Sequence, residues 1–265
     1  RAFSIHTFAG FLGAAATPPL LVGVALWLNI SAAFAVAAWL AVIALAFLYF
    51  YPVSVVASPK SAQAVGGSQT RPVKIPFNTI AGLTLLFLML SLSTGGLEKF
   101  SSAALVEGFE IIFRIANQGL PDFLFATANG LIRGGVLADK TEKHGFLAAV
   151  AFALAALLVA VLIYLPLAGI SLVVLLGMIG FLTGVVAPSR DMLVRAASPV
   201  GAEGRTFGIV STGFNMGGVL GPLLFGYLLD QHMAVGVFWA ALSFMLITTA
   251  MVLAQEITKP SLTHA

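Results

Sequence analysis

Asp122 is the only carboxylate inside an apolar stretch of this chain, and it directly follows Pro121. A charge at that depth is costly in hydrocarbon, which makes it a candidate site residue. The same pair is also what a helix start selects, Pro for its fixed φ and the acid for the N-terminal dipole. Asn129, Asn215, Thr17, Thr183 and Ser91 lie deeper in their apolar stretches. Their amides and hydroxyls can hold a polar solute, although such groups more often bond a neighbouring helix. Covalent chemistry has little to work with. Four scattered histidines and no cysteine provide neither a nucleophile and base pair nor metal ligands such as H-E-x-x-H. The expectation is therefore no enzyme, no catalytic residue, no metal and no resident cofactor.

The elements that position these residues follow from composition. With 60% hydrophobic and 9% charged residues, the chain has too little polar surface to cover a soluble globule, so lipid must solvate it. Stretches long enough to cross a hydrocarbon core, which takes roughly 17 to 25 helical residues, run over about Phe8–Leu28, Ala32–Phe50, Phe77–Leu97, Leu120–Leu137, Phe146–Leu165, Ile170–Val186, Phe207–Leu229 and Val235–Ala254. Their apolarity is continuous rather than alternating, which predicts helices and not a barrel. The fold class is an all-α polytopic membrane protein.

Eight crossings place both ends on one side, and the basic residues say which. Arg1, then Lys60, Arg71 and Lys74, then Lys140 and Lys143, then Arg190, Arg195 and Arg205, and finally Lys259 occupy alternate connections, whereas the others hold only Lys99 and Arg114. The positive-inside rule then makes both ends cytoplasmic in a bacterial-type plasma (inner) membrane. Arg133 is close enough to the end of its stretch to snorkel. The basic residues form no stripe or patch, so no nucleic-acid partner is expected. The expected partners are the lipid bilayer and a small-molecule substrate, with the protein a monomer.

Two further features bear on organisation. Residues 1–22, laid over 205–226 without a gap, agree at Arg1/Arg205, Phe3/Phe207, Ile5/Ile209, Gly13/Gly217, Pro18/Pro222 and Leu20/Leu224. A basic residue, a Gly and a Pro at fixed depth read as an internal repeat of two related halves. Pro52 to Pro76 is polar and without periodicity, which reads as a cytoplasmic linker. The division is then 1–51 for the last two helices of a first half, 52–76 for the linker, 77–254 for a six-helix second half and 255–265 for a tail. On this pattern about 130 residues precede Arg1 in a parent chain of about 400.

Gly135-Val136-Leu137-Ala138-Asp139-Lys140-Thr141-Glu142-Lys143-His144 resembles the loop motif G-x-L-A-D-R-x-G-R-R of the major facilitator superfamily, in its copy between helices 8 and 9 of twelve. It departs at Glu142, where that motif has Gly, and at His144, where it has Arg. Gly217-Gly218-Val219-Leu220-Gly221-Pro222-Leu223-Leu224-Phe225-Gly226 is similar to the G-x-x-x-G-P-x-x-x-G pattern of exporters in that superfamily, although it stands here in helix 11 and not helix 5. Residues Ala187 to Arg195 with Gly201 to Arg205 look like the superfamily's connection between helices 10 and 11.

The resemblance implies helices 5 to 12 of a transporter working by alternating access. It assigns Gly135, Asp139, Lys140 and Lys143 to a conformational latch, and Arg190, Asp191, Arg195 and Arg205 to an inner gate. Gly13, Pro18, Gly217, Gly221, Pro222 and Gly226 would bend or pack helices. Thr17, Ser91, Asp122, Asn129, Thr183 and Asn215 would line the central cavity. The implied function is ion-coupled export of a small organic compound, with H+ as the coupling ion and its carboxylate in the helices not present. An importer of a small metabolite and a non-transporting scaffold are the alternatives. The connection Glu98 to Gly119 reads as a prolonged seventh helix or an interfacial helix over the outer vestibule.

Overall fold

The computed structural model describes residues 2–50, 76–111, 113–141, 143–165, 167, 169–199 and 202–257, without the side chains at 2–8, 11, 14, 15, 18 and 113–120. The linker expected over 52–76, Pro76 apart, and the tail beyond Ile257 lie outside the described residues. Among the described residues eight helices form: α1 (Ala2–Trp27), α2 (Ile30–Phe50), α3 (Phe77–Phe109), α4 (Phe113–Lys140), α5 (His144–Tyr164), α6 (Ile170–Ala197), α7 (Glu203–Asp230) and α8 (Ala234–Ile257). Among the described residues α2, α3 and α5 to α8 are long and apolar enough to cross a membrane.

The chain divides into two compact units, Gly13–Lys74 and the remainder. In the first, Asn29 caps α2 by accepting the Ala32 N–H at 2.8 Å, so the turn after α1 satisfies one orphan donor of the next helix. The side chains of Phe34, Trp39, Leu45 and Tyr49 on α2 are mostly exposed, as lipid-facing residues are.

In the other unit α3 to α8 form a bundle. α4 packs on α6 and α7 on α3, while α5 and α8 complete the ring between α6 and α3. Glycines set the first two contacts. Gly180 and Gly184 of α6 face the carbonyls of Phe123 and Thr127, and Gly130 and Gly134 of α4 face the backbone of Phe181 and Val185. Numbers rise together on both helices, so α4 and α6 run parallel. Likewise Gly213 of α7 lies on Thr84, Gly217 on Ser91, and Phe225 on Gly96, which makes α3 and α7 parallel. Small residues permit this approach where lipid leaves no hydrophobic force between helices. Glu107 and Phe109 of α3 meet His232 and Phe238, whereas Gly82 lies beside Gln255, so α8 runs against α3.

Several helices outrun their apolar stretches. α3 continues twelve residues beyond Leu97, α6 eleven beyond Val186, and α4 begins at Phe113. Helix hydrogen bonds close within the segment, so a helix can leave hydrocarbon without breaking; hydropathy marks the lipid-facing part alone. Three expectations are corrected by this. Gly135 to Lys140 is the last part of α4 and not a loop, Ala187 to Arg195 is the end of α6, and Pro121 and Asp122 lie inside α4 and not in its first turn. Of the two readings of Glu98 to Gly119, the prolonged helix holds as far as Phe109. Glu110 ends it in the left-handed region (φ 53°), its N–H donating to the Leu105 carbonyl.

Candidate functional site

A cavity of about 310 Å³ opens between α3, α4, α6 and α7. Its wall includes Phe87, Thr94 and Glu98 from α3, Phe123 and Thr127 from α4, Thr183 and Arg190 from α6, and Phe207, Ser211, Phe214 and Asn215 from α7. A second cavity of about 330 Å³ between α3 and α7 shares Thr94, Glu98, Phe214 and Asn215 with it and adds Ser91 and Lys99.

The hydroxyls of this wall are committed locally. Thr127 donates to the Phe123 carbonyl at 2.7 Å, Thr183 to Gly180 at 2.7 Å, Thr94 to Leu90 at 2.9 Å and Ser211 to Gly208 at 3.1 Å. Each satisfies a hydroxyl proton within its own helix and leaves the oxygen's two lone pairs as acceptors. Arg190 is also engaged. Its Nη2 and Nε meet Asp191 Oδ1 at 2.9 and 3.0 Å, and its guanidinium lies 4.8 Å from the Phe87 ring centre and 5.8 Å from that of Phe214. A flat, delocalised cation is suited to that double stacking.

A third cavity, about 440 Å³, lies where the basic ends of α4 and α6 meet the start of α7. Gly135 and Asp139 come to it from α4, Asp191 and Arg195 from α6, and Glu203 and Phe207 from α7. Gly135 and Asp139 of the first motif and Asp191 and Arg195 of the second, which sequence treats separately, thus share one wall, together with Glu203.

Of the residues expected to line the solute cavity, Thr183 and Asn215 do so, and Ser91 reaches the second cavity while donating to the Phe214 carbonyl at 2.8 Å across α3 and α7. Asp122 and Asn129 are in the wall of neither; Asp122 is exposed and Asn129 donates to Phe125 in its own helix at 2.9 Å. Thr17 donates to the Gly13 carbonyl at 2.7 Å, closing locally as mid-helix Thr does. Arg205, Lys140 and Lys143 are exposed and line none of the three cavities.

The packing glycines also differ from expectation. Gly217 is pressed on Ser91, but among the described residues nothing lies within 4 Å of a Cβ built on Gly13 or Gly226, and Gly221 has ordinary contacts only. Pro222 stands within α7 and lines the second cavity, whereas Pro18 has no described side chain. Gly213 and the glycines joining α4 to α6 carry the close approach instead. Their spacing of four was the signal that could have found them.

Sequence reasoning also missed Glu98, Phe87, Phe123 and Phe214, since a carboxylate just beyond an apolar stretch and aromatic rings inside one both look like ordinary features. Residues 123–263, more than half of the chain, match the family model described as Major Facilitator Superfamily. Comparison with curated proteins finds no match.

Proposed function

The chain belongs to the Major Facilitator Superfamily and is a membrane transporter of that type, and from this premise we propose that it carries a small organic solute by alternating access, with the cavity between α3, α4, α6 and α7 as its solute site. The observation that carries the reading is the cavity's composition: four phenylalanines with a few oxygen acceptors and two charged side chains, in a volume of about 310 Å³ that suits a small molecule. Export coupled to H+ across a plasma (inner) membrane, with both chain ends cytoplasmic, is the form we favour, and the Lys and Arg bias supports that orientation. In this scheme Gly135, Asp139, Lys140 and Lys143 belong to the latch. Asp191, Arg195 and Glu203, gathered with Asp139 at the third cavity, make its opposing wall.

Counterflow by the purified full-length protein in proteoliposomes tests the function, with a panel of labelled organic solutes and an imposed proton gradient. Saturable exchange that responds to the gradient is expected, and its direction separates export from import. Absence of exchange across the panel would refute solute transport. In the same assay D139A is expected to slow exchange at least about tenfold, on the scale of one lost charge interaction; an unchanged rate would remove Asp139 from the latch.

A further inference from the structure

Glu98 stands in the wall of both cavities between α3 and α7. It is not at a helix end: eleven residues, about 17 Å of helix rise, separate it from Phe109. Among the described residues it has neither a hydrogen bond nor an ion pair. A carboxylate held that way in a largely apolar wall is destabilised until a cation reaches it.

The other charges do not serve. Lys99 is exposed and faces only the second cavity, and Arg190 is held by Asp191 at 2.9 Å beneath the Phe87 and Phe214 rings. With Asp191 balancing Arg190, the charge of the first cavity that has no ion-pair partner among the described residues is the one on Glu98, which the exposed Lys99 beside it attracts without closing an ion pair. The hydroxyls of the wall point the same way, because all four protons are spent on carbonyls and their oxygens remain as acceptors, while Asn215 offers both an amide donor and an acceptor. Such a lining favours a ligand that is positive or donates, and repels an anion.

Phe87, Phe123, Phe207 and Phe214 add aromatic rings, two of them already holding Arg190 on one side, and such rings attract an organic cation and shelter its apolar body. A small hydrated ion would gain nothing from them. We propose that Glu98 is the charge-recognising residue of a site for hydrophobic organic cations, with the cationic centre of the ligand beside its carboxylate and the apolar body against the phenylalanine rings. The inference names the solute class for the cavity and rests on the transport reading in that respect only.

Equilibrium binding of tetraphenylphosphonium to the protein in lipid nanodiscs, with empty discs as blank and tetraphenylborate as the anion of the same shape, tests it apart from any flux. Wild type is expected to bind tetraphenylphosphonium saturably and tetraphenylborate not at all. E98Q should weaken binding about tenfold or more, while E98D, which keeps the charge, should stay within about threefold; both variants are to be compared with wild type for their unfolding midpoints. Equal binding by E98Q and wild type overturns the proposal, as does a wild type that binds neither ion. Unchanged cation binding in E98Q accompanied by loss of proton uptake would make Glu98 a proton site and likewise overturn it. Saturable, Glu98-dependent binding without counterflow would leave this site standing and remove the transport reading instead.

Discussion

Gly184 meets the carbonyl oxygen of Thr127 so closely that no side chain fits between α6 and α4 at that level. The neighbour is backbone, which cannot rotate away as a flexible side chain would. G184A is therefore expected to cost about 2 kcal/mol or more, seen as a lower unfolding midpoint in detergent. G177A, also on α6 but with nothing within 4 Å of the new methyl, should be neutral or slightly stabilising through helix propensity. Equal effects from the two would show that the seam is not what orders these helices.

Gly217 and Ser91 form the corresponding contact between α7 and α3. A Cβ on Gly217 would stand 2.5 Å from Ser91 Cβ and 2.7 Å from its Oγ. G217A alone should cost about 2 kcal/mol, and S91G about 1 to 2 kcal/mol, through the lost bond to Phe214 and a glycine in a helix. The double variant should be less harmful than the two added together by about 1 kcal/mol. The rescue stays incomplete because the Leu88 carbonyl, 3.1 Å away, is still there. A double-mutant cycle on unfolding midpoints, showing no coupling, would contradict the contact.

Glu110 closes α3 in a conformation that L side chains rarely adopt, with φ of 53°. E110G should stabilise the protein by about 1 kcal/mol, since glycine occupies that region without the Cβ penalty. A fall in the unfolding midpoint would mean that the glutamate side chain holds the cap in some other way.

Arg190 combines an ion pair and two ring contacts, and substitutions separate them. R190A leaves the Asp191 carboxylate, whose side chain is 16% exposed, without its cation, at a cost of about 2 kcal/mol. R190K restores a charge but not a flat face for Phe87 and Phe214, and should recover roughly half of that loss. Full recovery by lysine, measured as unfolding midpoint in the same detergent, would show the stacking to be incidental.

How far the sequence could be read varies by residue for physical reasons. Continuous apolarity announces helices because lipid demands internally satisfied backbone, and the α2 stretch was legible to within two residues of Ile30 and Phe50. Glu98 and Arg190 were not legible as cavity residues. Hydropathy ends near them, while the helices that carry them go on, so both looked like residues of connections. Asp122 shows the opposite error: an apolar neighbourhood in sequence does not place a side chain in a cavity, because a helix has several faces and this one is exposed. The family was legible because Gly135 to Lys140 is a local string, which requires no knowledge of which helices touch.

The glycine seams have a mechanical corollary. Where glycine brings two backbones together, as along α4 and α6 and at Gly213 of α7 on Thr84 of α3, no side chain lies between them to act as a bearing, so each couple behaves as a single stiff plank. Any breathing of the chamber they enclose then takes place where plank meets plank, and the floor and ceiling can part while both laminated walls stay whole.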